Sequence, residues 1–167
     1  MQENTLKIWI VNPYGTLPSE GWREYRSALL ARALADRGHE VIWWIADFEH
    51  RSKKFRKNVT VDALLPERVQ IRCIASGSYK RHIGIRRVLF EIAFGRAVAA
   101  AAQLEAPPHA IVVAEPALFF GAPVRKFALE NEVPLIVDVL DLWPELFHVV
   151  LPRGLRGMGR VIFSPLY

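Results

Sequence analysis

Strand-like and helix-like segments alternate along this chain of 167 residues, and that alternation predicts an α/β fold with a doubly wound parallel sheet. Two observations carry the prediction. Residues 6–11 (Leu-Lys-Ile-Trp-Ile-Val) make an apolar strand, an amphipathic helix follows, and residues 41–46 make a second apolar strand, which is one βαβ unit. The apolar run after Pro134 reads as a buried strand of a parallel sheet, continuous rather than alternating.

The elements follow in order. A loop at residues 12–21 carries two prolines and two glycines. Ser19, with Trp22 and Arg23, opens a helix that runs to about Arg37, with Tyr25, Leu29 and Ala33 on one apolar row and Leu30 and Leu34 on the next. Gly38 stops that helix. A basic loop spans residues 47–66, and residues 69–75 form a third strand. A long helix covers residues 83–104 and is stopped by Pro107 and Pro108. Residues 110–114 form a fourth strand, residues 117–131 a helix, and residues 135–139 a fifth strand. The last stretch, residues 153–167, starts a further apolar element holding Phe163, Leu166 and Tyr167, which leads us to expect a partner domain to cover it.

Composition narrows the function classes. A hydrophobic content of 51% supplies a real core for one domain. Arg86, Arg87, Glu91 and Arg96 interrupt the most apolar stretch, so no membrane span is predicted. The first residues lack the features of a secretory signal. Cys73 is the one cysteine, which excludes a disulfide framework, and no His-x-x-x-His or Cys/His cluster suggests a metal site. A cytoplasmic location is the expectation.

The net charge of +5 is concentrated. Arg51, Lys53, Lys54, Arg56 and Lys57 crowd one loop; Lys80, Arg81, Arg86 and Arg87 crowd another. Such runs are either solvated loops or a surface for anionic lipid, which would make the protein peripheral on the inner face of the membrane. The stacking motifs of RNA-binding modules are absent, so nucleic acid is not an expected partner.

Three places hold candidate chemistry. The loop after the first strand is neither a dinucleotide fingerprint nor a P-loop. Gly15 and Gly21 nevertheless allow close backbone approach, Thr16 lies between them, and a helix start near Gly21 with Arg23 in its first turn would suit a phosphate. A plain βα turn is the competing reading. Glu115 closes the fourth strand and either faces a cleft or caps the next helix, the cap being favoured. Asp138, Asp141, Trp143 and Glu145 arrive at the carboxyl end of the fifth strand, where open parallel sheets hold their ligands. The alternative is structural: Asp138 ends the strand, Asp141 caps a short helix and Trp143 packs a corner.

Asp138-Val-Leu-Asp-Leu-Trp-Pro-Glu145 resembles the Asp-x-x-Asp-Leu-Trp-Pro-Glu signature of the N-terminal half of family-4 retaining glycosyltransferases that build bacterial surface polysaccharides. Arg37-Gly-His-Glu-Val41 is similar to the end of that family's first helix, a structural feature. The resemblance implies a Rossmann-like, acceptor-side half of a GT-B fold spanning residues 1–167, with the C-terminal donor-binding domain absent. It implies transfer of a sugar from a nucleotide-sugar donor to a glycan or lipid-linked acceptor, with no other cofactor and no metal. Asp141 and Glu145 would then meet acceptor hydroxyls with Asp138 supporting them, and Gly15, Thr16 and Gly21 would lie near the diphosphate. Leu140 departs from the family, which often has His or Arg there. Two other readings stay open: a flavodoxin-like binding or regulatory module, and a membrane-docking subunit of a split glycosyltransferase.

Overall fold

A computed structural model describes residues 4–23, 26–57, 59–81 and 84–139. The expected element at residues 153–167 lies outside them. Five strands form one parallel sheet: β1 (Lys7–Val11), β2 (Glu40–Ala46), β5 (Val69–Ile74), β6 (Ala110–Glu115) and β7 (Leu135–Val139), in the order β5-β2-β1-β6-β7. From β1 the sheet grows one way through β2 and β5 and the other way through β6 and β7. This is the Rossmann-like doubly wound arrangement, with its switch point between β1 and β6.

Period-two alternation sends neighbouring side chains to opposite faces, and each face has its own helices. Trp9, Val11, Ile42, Trp44, Ile111 and Val113 pack against α2 (Ile85–Ala102) and α3 (Gly121–Glu130). Ile8, Ile10, Val41, Trp43, Ile45 and Val112 share the other cluster with α1 (Arg26–Asp36). On the first face the rings of Trp9 and Phe127 stack with centroids 5.4 Å apart, and Trp44 meets Trp9 edge-on at 5.1 Å. Gly95 lets α2 approach α3, because a Cβ there would lie 2.5 Å from the carbonyl oxygen of Phe120 and 2.8 Å from its Cα. Gly95→Ala should therefore cost about 2 kcal/mol, the overpacking penalty of about 1–3 kcal/mol and sometimes more, less the helix propensity that alanine gains. An unchanged urea midpoint would show that the two helices yield.

Five details depart from the sequence reading. The helix after β1 begins later than expected: Pro18–Glu20 is a short 3-10 turn, Gly21 is left-handed at φ 74°, and residues 22 and 23 lie outside α1. Ser19 does not cap a helix, because Asp62 captures it, accepting from its Oγ at 2.6 Å and its amide at 3.1 Å. The buried row of α1 is Ala28, Ala31 and Ala35, which share a core cluster with Trp43, while Leu29 is exposed. Tyr25 lies outside the described residues. The basic loop contains a two-stranded antiparallel hairpin, β3 (Phe48–Glu49) with β4 (Lys54–Phe55). Finally, β7 is not buried on both faces. It ends the sheet among the described residues, and Ile136 is 52% exposed with Val137 and Val139 similar.

Candidate functional site

The carboxyl ends of β1 and β6 open into a crevice of about 350 Å³ at the switch point. Its walls come from the loop after β1 (Asn12, Tyr14, Gly15, Thr16), the start of α1 (Ser27, Ala28), Trp43, the hairpin turn (His50, Arg51), Arg87 on α2, and the end of β6 (Ala114, Glu115, Pro116).

Asn12 organises the first wall. Its side chain donates to Ser27 Oγ at 2.9 Å and accepts from the Tyr14 amide at 3.0 Å, while the Gly15 amide donates to its carbonyl at 3.1 Å. The turn thus follows from an Asn placed immediately after a strand. Gly15 lies flat against the Trp43 ring; a Cβ would come within 2.6 Å of Cζ2, so glycine is needed for contact rather than for its backbone angles. Thr16 is only 5% exposed and its hydroxyl has no hydrogen-bond partner among the described residues. Such a hydroxyl normally finds a partner when buried, so a group entering the crevice would supply one.

Arg56 fastens this loop from below. Its guanidinium donates to Glu20 Oε1 at 2.6 Å and Oε2 at 3.0 Å, to the Gly15 carbonyl at 2.7 Å and to the Ala46 carbonyl at 2.6 Å. Its side chain is 4% exposed, so Arg56 is a structural clamp and not part of a solvated membrane-facing run. The Glu20 carboxylate also accepts from the Leu17 amide at 2.9 Å, which completes the clamp.

The opposite wall carries a buried polar network. Tyr14 donates to Glu91 Oε1, and Arg87 Nε donates to the Tyr14 oxygen at 3.1 Å and lies 3.4 Å from Glu91 Oε1. The Arg87 guanidinium also sits over the Tyr14 ring, 5.1 Å from its centroid. Burial, reinforced by the neighbouring Glu91 carboxylate, holds the Tyr14 phenol far above its usual value, so it remains a protonated donor. Burial also pushes Glu91 up, against the opposing pull of Tyr14, Arg87 and the Phe119 amide. Beside this network His50 Nδ1 and the Tyr79 hydroxyl share a hydrogen bond, and Lys53 Nζ lies 4.4 Å from the Tyr79 ring centroid. Burial, with Arg87 nearby, lowers the Lys53 ammonium below its ordinary value.

The structure brings together part of what the sequence singled out. Gly15, Thr16 and Glu115 line the crevice. Glu115 accepts from the Ala117 amide at 2.6 Å, closing a local turn ahead of α3, so it both faces the crevice and braces its own loop without capping that helix. Gly21 and Arg23 are exposed and are not in the crevice lining, and α1 starts later than expected. Asp138 pairs with Arg26 at 2.6 Å beside α1, in a separate apolar groove lined also by Leu29, Leu34 and Ile136. Asp141, Trp143 and Glu145 lie outside the described residues. Of the basic residues, Arg51, Lys54, Lys57, Lys80, Arg81 and Arg86 are exposed, whereas Lys53 and Arg87 turn inward as Arg56 does.

Asn12, Tyr14, Ser27, His50 and the role of Glu91 were not anticipated. The one available signal was Glu91 itself, a carboxylate inside an apolar helical run. Among the described residues no group of three or more His, Cys, Asp or Glu is placed to hold a metal ion. The chain matches no family model and no curated protein sequence, so the crevice is read from its own chemistry.

Proposed function

We propose that this chain is the acceptor-side domain of a glycosyltransferase, which moves a sugar from a nucleotide-sugar donor to a glycan acceptor, and that the switch-point crevice holds the anionic part of a reactant. The observation that carries this reading is the Thr16 hydroxyl, buried and without a hydrogen-bond partner among the described residues, in a crevice that Arg51, Arg87 and His50 also line. Cations and fixed donors around one polar group suit a phosphate or diphosphate. Sugar transfer from a diphosphate donor depends on orientation and on stabilising the departing phosphate, and those needs are met by positioned donors. The likeness of residues 138–145 to the glycosyltransferase signature adds the acceptor side: Asp141 and Glu145 for hydroxyls, with Asp138 behind them. The donor is expected to be gripped mainly by a second domain, so this chain by itself should bind uridine or guanosine diphosphate sugars weakly and transfer nothing.

Thr16→Val tests the crevice, because it keeps the shape and removes only the hydroxyl. Chemical denaturation should show stability unchanged or slightly raised, since an unpaired buried hydroxyl is lost. Transfer activity of the complete enzyme should fall about tenfold, the value of one good hydrogen bond to a charged group. Asp141→Asn should lower activity by about 100-fold with stability nearly unchanged, as for a positioned acid–base or orienting group. Full activity in both variants would sink the reading. A co-purifying flavin bound in the crevice would favour a small-molecule binding module instead.

A further inference from the structure

The first turn of α2 has an exposed edge of unusual composition. Ile85 is 75% exposed and Leu89 57% exposed. They are four residues apart on one helix, so they share a face. Ile85 also lines a cleft of about 310 Å³ whose other walls are Lys80, Arg81, Gly84, Arg86 and Arg87. Lys80, Arg81 and Arg86 are themselves exposed. Two exposed aliphatic side chains on one helix face, one of them beside a cleft walled by cations, are the pattern of an interfacial element, with apolar groups for the acyl boundary and cations for lipid phosphates.

We infer that this end of α2 is a docking edge that seats on an anionic bilayer, inserting Ile85 and Leu89 while Lys80, Arg81 and Arg86 meet the headgroups. Charge complementarity selects the bilayer, and the exposed aliphatic pair distinguishes it from a purely electrostatic partner such as nucleic acid, which would want stacking aromatics here. No helix among the described residues is long and apolar enough to cross a membrane. The same turn carries Arg87, which reaches the other way to Tyr14 in the crevice wall. The docking edge and the crevice are therefore joined through one side chain, and a reactant anchored in the bilayer would be presented close to the crevice.

Sedimentation with vesicles tests this without any sugar donor, so its outcome is independent of the glycosyltransferase reading. Wild-type protein should partition onto phosphatidylcholine vesicles containing phosphatidylglycerol and far less onto phosphatidylcholine alone. Neutralising Lys80→Gln, Arg81→Gln and Arg86→Gln in turn should weaken partitioning about fivefold for each cation. The pair Ile85→Ser and Leu89→Ser should reduce it at least about tenfold and remove the part that survives high salt. Circular dichroism should show both sets folded, as expected for exposed positions. Equal binding to neutral and anionic vesicles overturns the inference, as does a serine pair that binds like wild type. Displacement by inorganic phosphate, beyond that by chloride at equal ionic strength, would assign the cleft to a free anion and overturn it too.

Discussion

Arg56→Ala is expected to destabilise the protein by about 4 kcal/mol, the largest effect of any single surface-loop substitution here. Removing one member of a buried, hydrogen-bonded ion pair costs about 3–5 kcal/mol, because the partner charge is left desolvated and unpaired. Here the partner is Glu20, and two backbone carbonyls, at Gly15 and Ala46, lose their donors at the same time. Those three acceptors belong to the loop after β1 and the end of β2, so the change releases one wall of the crevice. Arg56→Lys should recover only part of the loss, since an ammonium cannot reproduce the planar fork that serves Glu20 and the carbonyls together. Urea denaturation measures both variants. If Arg56→Ala costs less than about 1 kcal/mol, the guanidinium behaves as an ordinary surface charge, and the clamp does not exist.

Arg56 also shows where sequence reasoning runs out. It sits in a run with Arg51, Lys53, Lys54 and Lys57, and a run of cations carries no information about which side chain turns inward. Direction is decided by partners far along the chain: Glu20 is 36 residues from Arg56, and Glu91 is 77 residues from Tyr14. The strands were legible because burial writes itself locally. Ile8 and Ile10 pack on one face while Trp9 and Val11 pack on the other, and a run apolar at every position must be covered on both. The same rule misled for β7, whose residues 135–137 are as apolar as those of β6 although the strand lies at the end of the sheet. An apolar run reports what a strand can bury, and its place in the sheet decides what it does bury. For α1, the buried row is Ala28, Ala31 and Ala35, which share a core cluster with Trp43 of β2, a neighbour that only tertiary packing reveals. In the crevice, Gly15, Thr16 and Glu115 were legible as residues at strand ends, the position the fold reserves for ligands. Tyr14 and His50 were not, because their neighbours come from α2 and from Tyr79.

Glu91→Ala should cost about 3 kcal/mol, because it removes the buried acceptor of the Tyr14 phenol and leaves a cavity beside it. The cavity and the lost acceptor for Tyr14 act together, so the phenol should lose its fixed orientation in the crevice wall. Glu91→Gln separates charge from shape, since the amide oxygen still accepts from Tyr14. Burial raises the Glu91 carboxyl above its ordinary value of 4.5, so the folded chain keeps a proton that the unfolded chain has already released. The contribution of Glu91 to stability is therefore complete below that ordinary value and is lost as pH rises through the folded value. Glutamine does not titrate, so the stability advantage of wild type over Glu91→Gln should shrink as pH rises above the ordinary carboxyl value when urea midpoints are compared. An advantage that grows with pH would mean that the pairing with Arg87 outweighs burial and that the network holds an ionised carboxylate.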